Sequence, residues 1–339
     1  MAKTYLGIDI GYDRLKLALV NGKQVKKTVC VPMPTNLVKE GMVVSRETMG
    51  ELIRKTMKDN GIRANYAAIS FPNEAVFVRT LNVPQMSGDQ LSYNVSYEFR
   101  DYITDELKNY VFDYAMISTP EDLKAQEPKT DENGTPIPAT MDILAVAAPK
   151  TLIDESRAML RKAGLRMKKA APAVCSFIAL IREQKESESR EYCILDLGYN
   201  AVRMYMFTGE RNTATRELEI GLSSIDNAIA DAYNVDVHLA HTYLLTNNDG
   251  CQDSEVCVNA FNNIAVELMR AVNFYRFNNP DSQLADIWLC GGGAVIPALK
   301  KSISETLDMT IHDASELVYH GDSIDDCHSF VQAIGAAMY

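Results

Sequence analysis

The stretch Tyr5–Gly22 returns at Tyr192–Gly209 with a constant offset of 187 and no gap. Tyr, Asp, Gly, Tyr and Gly recur at 5/192, 9/196, 11/198, 12/199 and 22/209, while Ile8/Leu195, Ile10/Leu197, Asp13/Asn200 and Lys16/Arg203 keep their chemical character. Hydrophobic pattern and turn chemistry therefore repeat together, the mark of an internal duplication. Each copy reads as an apolar strand, a tight turn of small and polar residues and a second alternating strand, which is a β-hairpin. Two similar hairpins predict two similar halves.

The turns carry chemistry as well as shape. Gly11 and Gly198 let backbone N–H groups approach an anion with no Cβ in the way. Asp9 and Asp196 sit two residues earlier, where strand meets turn. A carboxylate from each half facing one point suits a hydrated Mg²⁺, which keeps most of its waters and takes only one or two protein carboxylates. Such a metal would bridge phosphates held by the two turns, with Lys16 as a direct phosphate contact and Arg203 as its counterpart. Taken singly, D-x-G in a hairpin is ordinary turn chemistry. The duplication is what gives it weight. A third glycine-rich element follows Ile287–Cys290, a short apolar strand, at Gly291-Gly292-Gly293-Ala294, and Pro297 then opens an apolar-periodic helix. It matches neither G-x-G-x-x-G nor the P-loop pattern.

Composition narrows the class. The 339 residues are 47% apolar and 23% charged, the mix of a folded globular protein of two domains or one elaborated α/β unit. The net charge of −11 repels bulk DNA, RNA and anionic lipid, so no nucleic-acid partner is expected. The seven cysteines form no C-x-x-C pair, and reduced thiols in a cytoplasmic protein are the economical reading. The N-terminus MAKTYLGIDIG reaches an aspartate too early for a signal peptide. No run approaches the roughly 18 apolar residues of a membrane span, so membrane association is expected only through a partner.

Between the hairpins, residues 66–84 read as strand punctuated by Pro72 and Pro84, Gln85–Tyr102 as helix, and Val111–Ile117 and Met141–Ala147 as further strands. Residues 121–138 read as an exposed loop, and Thr151–Ala163 as an amphipathic helix closed by Gly164. Together they predict an inserted α/β subdomain at 68–166. The charged run Arg182–Glu191 reads as a solvated connector, and His238 and His241 as ordinary helix residues with no third ligand evident. The helix around Asn263–Phe277 sets Glu267 and Arg270 at three-residue spacing, as a surface ion pair or facing a ligand.

Two D-x-G hairpins, the GGGA turn and an insertion in the first half resemble the actin-like ATPase superfamily. The stretches LGIDIGYDRLKLALV, FPNEAVFVRTLNVPQMS, LAVAAPKTLIDESRAMLRKAGL, RELEIGLSSIDNAIA, ELMRAVNFYRF and LCGGGAVIPALKKSI resemble, within it, the PilM family of type IV pilus assembly proteins, which is related to FtsA. The resemblance implies an α/β fold of duplicated ribonuclease-H-like halves around a nucleotide cleft, with an FtsA-type inserted subdomain. Residues 1–190 would form the first half, with core 1–67 and 167–190 and insertion 68–166. Residues 191–324 would form the second, with core 191–220 and 285–324 and a helical subdomain at 221–284. Residues 325–339, with Ala333-Ile334-Gly335-Ala336, would return to the first half as a closing helix.

The resemblance also implies ATP and Mg²⁺ as ligands. Asp9, Gly11, Asp13 and Lys16 match the first phosphate hairpin, and Asp196, Gly198 and Asn200 the second. Gly291, Gly292, Gly293 and Ala294 match the adenosine-side turn, while Gly221, Glu267 and Arg270 fall near the ribose and base. The implied partner is the short cytoplasmic tail of a PilN-like inner-membrane protein, held in a groove between the first half and the insertion, alongside other pilus assembly components; homo-oligomerisation is left open. Two departures bear on mechanism. Asp13 would stand close to phosphate, and Ala170-Ala171-Pro172 stands where the family often has an acid near the γ-phosphate. Without a residue to orient attacking water, binding with slow or absent hydrolysis is expected. A small-molecule kinase lacks its acidic base here. An FtsA-like scaffold would carry an amphipathic anchor after HSFVQAIGAAMY, and a type II secretion protein a transmembrane helix.

Overall fold

The apolar alternation of the first repeat becomes a hairpin in which β1 (Thr4–Ile10) and β2 (Arg14–Asn21) pair antiparallel from Thr4 opposite Asn21 to Ile10 opposite Leu15. In this computed structural model, which describes residues 3–39, 41–118, 123, 129–130, 136–184, 190–318 and 327–339, β3 (Gln24–Pro32) completes the meander. Helix α1 (Arg46–Asp59) starts where Ser45 Oγ accepts the Thr48 N–H, leaving one orphan donor fewer. Strand β4 (Tyr66–Phe71) then pairs parallel to β1.

The chain next leaves this sheet. Strands β5 (Phe77–Pro84), β6 (Tyr110–Met116) and β7 (Thr140–Pro149) form a separate antiparallel sheet in the order β5-β7-β6. Helix α2 (Gly88–Asn94), started by a Ser87/Gln90 capping box, covers it. Val83, Leu91, Val95, Phe99 and Ile143 give this unit a core of its own. Most of the expected 121–138 loop lies outside the described residues, although Lys129–Thr130 pairs with Pro136–Ile137. Helix α3 (Lys150–Lys162) sends Met159 and Leu160 into the core of the first half and packs on α1, where a Cβ on Gly50 would stand 2.7 Å from the Met159 carbonyl oxygen. Strand β8 (Arg166–Pro172) joins the edge beside β4, giving the order β8-β4-β1-β2-β3. Helix α4 (Ala173–Ile181), buried at every residue, follows it.

The second half repeats the plan. Strands β9 (Glu191–Leu197), β10 (Val202–Thr208) and β11 (Arg211–Leu218) form the meander. Helices α5 (Leu222–Tyr233), α6 (Val237–Thr246) and α7 (Glu255–Asn278) follow, and α7 buries Ile264, Leu268, Val272 and Tyr275 as its pattern predicted. Strand β12 (Asp286–Cys290), helix α8 (Pro297–Thr306) and strand β13 (Thr310–Asp313) complete a sheet ordered β11-β10-β9-β12-β13. In each sheet an antiparallel meander is extended by two parallel strands beside its first strand.

A shared core joins the halves. Helix α4 and the last helix, α9 (Val331–Met338), pack with Tyr192, Tyr205, Phe207 and Trp288 of the second half, and the Phe177 and Tyr205 rings lie 4.8 Å apart. Full burial of side chains such as Phe177, Leu180 and Ile181 contributes about 1.5–3 kcal/mol each. Helix α9 approaches the first half so closely that a Cβ on Gly7 would lie 1.8 Å from the Ala333 carbonyl oxygen, and one on Gly335 2.1 Å from that of Ser176. Only glycine fits at either crossing.

Candidate functional site

Hairpin register sets the first feature of the site. Asp9 lies directly across from Lys16, and Asp196 directly across from Arg203, so each half presents one carboxylate beside one cation at its turn. All four side chains line a cleft of about 920 Å³, partly open to solvent, between the halves. Lys16 Nζ stands 3.3 Å from Asp9 Oδ2. Burial disfavours the Lys16 ammonium, yet the nearby Asp9 and Asp196 carboxylates raise its pKa on balance. Asp196 is 7% exposed and accepts a 2.8 Å hydrogen bond from Gln332 Nε2 on α9. Burial pushes its carboxyl pKa up, against the pull of Lys16 and Arg203.

Arg203 also reaches across the cleft. Its guanidinium pairs with Glu74 of the first half and donates from Nε to Glu217 Oε2 at 2.8 Å. Burial works against the Glu74 carboxylate, but Arg203 and hydrogen bonds hold its pKa below the ordinary value. The half-buried Arg203 has its own pKa raised, because the surrounding Asp196 and Glu74 outweigh desolvation.

His241, which its spacing from His238 does not single out, belongs to the same assembly. Nδ1 lies 2.8 Å from Oδ2 of the fully buried Asp226 on α5, and Nε2 lies 3.5 Å from Asp13 Oδ2 of the first turn. The Tyr199 ring meets the imidazole edge-on at 5.6 Å. Burial opposes the charged imidazole, but Asp13 and Asp226 push its pKa up to about 9. Burial likewise opposes the Asp13 carboxylate, and His241 and Arg14 hold its pKa below the usual value. The available signal was Asp226 itself: an acid among Leu222, Ile225 and Ile229 is buried with them, and such an acid demands a cation.

The structure distributes the remaining sequence candidates unevenly. Gly11, Asp13, Gly198, Asn200 and Gly292 line the cleft with the four charged residues. Gly291, with φ +85°, lies behind it; a Cβ there would stand 2.3 Å from Asp196 Oδ1. A Cβ on Gly293 would meet Leu197 Cβ at 2.8 Å, and one on Gly221 the Tyr199 carbonyl oxygen at 2.4 Å. These glycines let three turns of the second half pack against one another, and Ala294 is buried beside them. Glu267 and Arg270 pair with each other on the exposed side of α7 and do not line the cleft.

A second, smaller pocket, partly open to solvent, lies between the first-half strands and α3, with walls that include Ile69, Phe71, Leu152 and Met159. Arg46 and Glu155 pair at its edge. Ser70 Oγ and Arg46 Nε are buried without a hydrogen-bond partner among the described residues. Ile10, Gly41 and Pro72 line both cavities.

Two halves of identical strand order, a D-x-G turn from each meeting at one cleft, and a three-stranded unit inserted in the first half define an actin-like ATPase fold. Its solved counterparts include the PilM–PilN type IV pilus biogenesis complex, with TM-score 0.81, 23% identity and coverage of 98% of this chain and 97% of that one. The ethanolamine utilization protein EutJ from Carboxydothermus hydrogenoformans shares the fold at TM-score 0.61 and 13% identity, over 100% of this chain and 89% of its own. Residues 7–326 match the type IV pilus assembly protein PilM family, and the chain belongs to that family. Among the described residues no helix is long and apolar enough to cross a membrane.

Proposed function

We propose that the protein is an ATP-binding scaffold of a type IV pilus assembly machine, lying at the inner face of the cell membrane through its partners. It captures the cytoplasmic tail of a PilN-like inner-membrane protein and hydrolyses ATP slowly or not at all. The observation that carries the nucleotide reading is the convergence of the Asp9/Lys16 and Asp196/Arg203 pairs on one cleft.

The donor set fits Mg-ATP. Among the described residues no three His, Cys, Asp or Glu groups form a metal cluster, whereas a hydrated Mg²⁺ needs only one or two carboxylates. Asp9 and Asp196 would hold its waters, and the ion would neutralise phosphate charge when bound. Gly11, Asp13, Lys16, Gly198 and Asn200 are the proposed phosphate-side residues, with Gly292, in the turn packed by Gly221, Gly291, Gly293 and Ala294, on the nucleoside side. Residues 170–172, at the end of β8, carry no acid to orient water, which supports slow turnover. The apolar second cavity, with unpaired Ser70 Oγ and Arg46 Nε in its wall, is the proposed seat of the tail, since extended peptides dock in apolar grooves with a few polar anchors. The solved PilM–PilN complex supports this choice of partner.

Isothermal titration of Mg-ATP into nucleotide-free protein, repeated with Asp9→Ala and Asp196→Ala and then with a PilN-like tail peptide, tests both parts. Binding lost in both variants, retained peptide binding and negligible phosphate release are expected. Steady-state turnover on the order of 10 s⁻¹ would refute the scaffold reading, and absence of nucleotide binding by the folded protein would refute the cleft assignment.

A further inference from the structure

Asp13 poses a problem for a phosphate-binding turn, because its carboxylate lines the cleft where anionic oxygens are to be held. The structure supplies the answer from the other half. Asp226, 0% exposed, fixes the His241 ring by accepting from Nδ1 at 2.8 Å. A fixed ring leaves Nε2 directed at Asp13 Oδ2, 3.5 Å away, with no hydrogen-bond partner of its own among the described residues. One imidazole thus spans a carboxylate of the first half and a carboxylate of the second, and the Tyr199 ring limits its freedom on a third side.

We propose that His241 is a positioning residue of the polyphosphate site, clasping Asp13 across the cleft to the buried Asp226 so that the first turn can accept an anion despite its own carboxylate. This rests on the nucleotide reading of the cleft. The groups facing His241 are Asp13, with its neighbour Arg14, on the β1–β2 turn, Asp226 on α5 and Tyr199 on the β9–β10 turn. Tyr199, pushed up to about 12 by burial and Asp226, stays neutral through the range in which the clasp titrates. His241, with its pKa raised to about 9, stays charged at neutral pH. Polyphosphate affinity should therefore be level from pH 6.5 to 8 and fall as the imidazolium loses its proton.

The test is a double-mutant cycle read by titration calorimetry with Mg-ATP and, separately, with inorganic tripolyphosphate. His241→Gln should weaken both ligands about tenfold, within the coupling seen between residues in contact, and abolish the alkaline fall. Adding Asp13→Asn to His241→Gln should restore most of the affinity, because the carboxylate that needed neutralising is gone. Urea unfolding confirms that each variant is folded at pH 7. In parallel, the His241 ring is titrated by NMR without ligand, and Asp13→Asn should lower its pKa.

Unchanged affinity in His241→Gln would overturn the proposal. So would a weakened His241→Gln that Asp13→Asn fails to restore, because His241 would then act on the fold and not through Asp13. If the folded wild type binds tripolyphosphate but not ATP, the clasp stands and the nucleotide reading fails. If it binds neither while the ring still titrates near 9, the positioning role and the cleft assignment both fail.

Discussion

Replacing Gly7 with alanine tests how tightly the last helix is keyed into the first half. The new Cβ would lie 1.8 Å from the Ala333 carbonyl oxygen, 2.7 Å from its carbon and 3.3 Å from Ala337 Cβ. The first two are backbone atoms and cannot rotate away, so reaching ordinary contact near 3.4 Å requires α9 to withdraw by about 1.6 Å. Sideways escape is closed, because Gly335 on the same helix already sits against the Ser176 backbone. Withdrawal uncovers Ala333, Ile334 and Ala336, all 0% exposed, and strains the Gln332 bond to Asp196. Overpacking of this kind costs about 1–3 kcal/mol and occasionally more. With backbone as the obstacle, about 3 kcal/mol is expected, equivalent to a Tm lower by roughly 4 °C in a chain of this size. Thermal unfolding by circular dichroism measures it, with Gly88→Ala as the control, where the nearest atom is Tyr114 Oη at 3.5 Å. A Gly7→Ala Tm within about 1 °C of wild type would show that α9 is not held as described.

Arg203→Met should cost about 2 kcal/mol in urea unfolding; the Glu74 and Glu217 side chains are 39% and 37% exposed and rehydrate, which keeps the loss below that of a fully buried pair. Arg203→Lys should recover only part of it, since an ammonium does not reproduce the guanidinium fork, and full recovery would argue against paired geometry. The stability margin of wild type over His241→Gln should depend on pH. The folded pKa of His241, about 9, lies above the ordinary histidine value of 6.5, so its contribution of roughly 3 kcal/mol or less is full below about pH 6.5 and lost as pH rises through 9. A margin that widens toward pH 10 would contradict the sign. The thiols of Cys175, Cys193 and Cys251 are pushed up to about 12, 12 and 11 by burial. Ellman's reagent at pH 8 should label none of them ahead of the half-buried Cys30.

Features encoded by near neighbours in the chain were readable in advance. The repeated hairpins follow from alternation and turn residues, and once they form, antiparallel register alone sets Asp9 against Lys16 and Asp196 against Arg203. The buried stripe of α7 was readable for the same reason. The cross-cleft contacts were not, because Arg203 and Glu74, or His241 and Asp13, meet only after both halves have packed. Glu267 and Arg270 show a different limit: a three-residue spacing looks the same whether it faces ligand or water, and here the pair faces water. Gly221, Gly291 and Gly293 show a third. A glycine that admits a ligand and one that admits a neighbouring turn leave the same letter in the chain, and these three admit turns.

The end of β4 and the few residues after it form a partition with a different chamber on each face. Phe71 and Ala75 look into the apolar cavity, Glu74 looks into the charged cleft, and Pro72 borders both. Glu74 is also tethered to the second half through Arg203. An occupant of either chamber that shifts this partition changes the affinity of the other chamber for its own occupant, and thermodynamic reciprocity makes the factor the same in both directions. A coupling of 1.4 kcal/mol through so short a segment would change each affinity about tenfold. Signalling between the two chambers would then need no moving domain, only a wall thin enough to be felt from both sides.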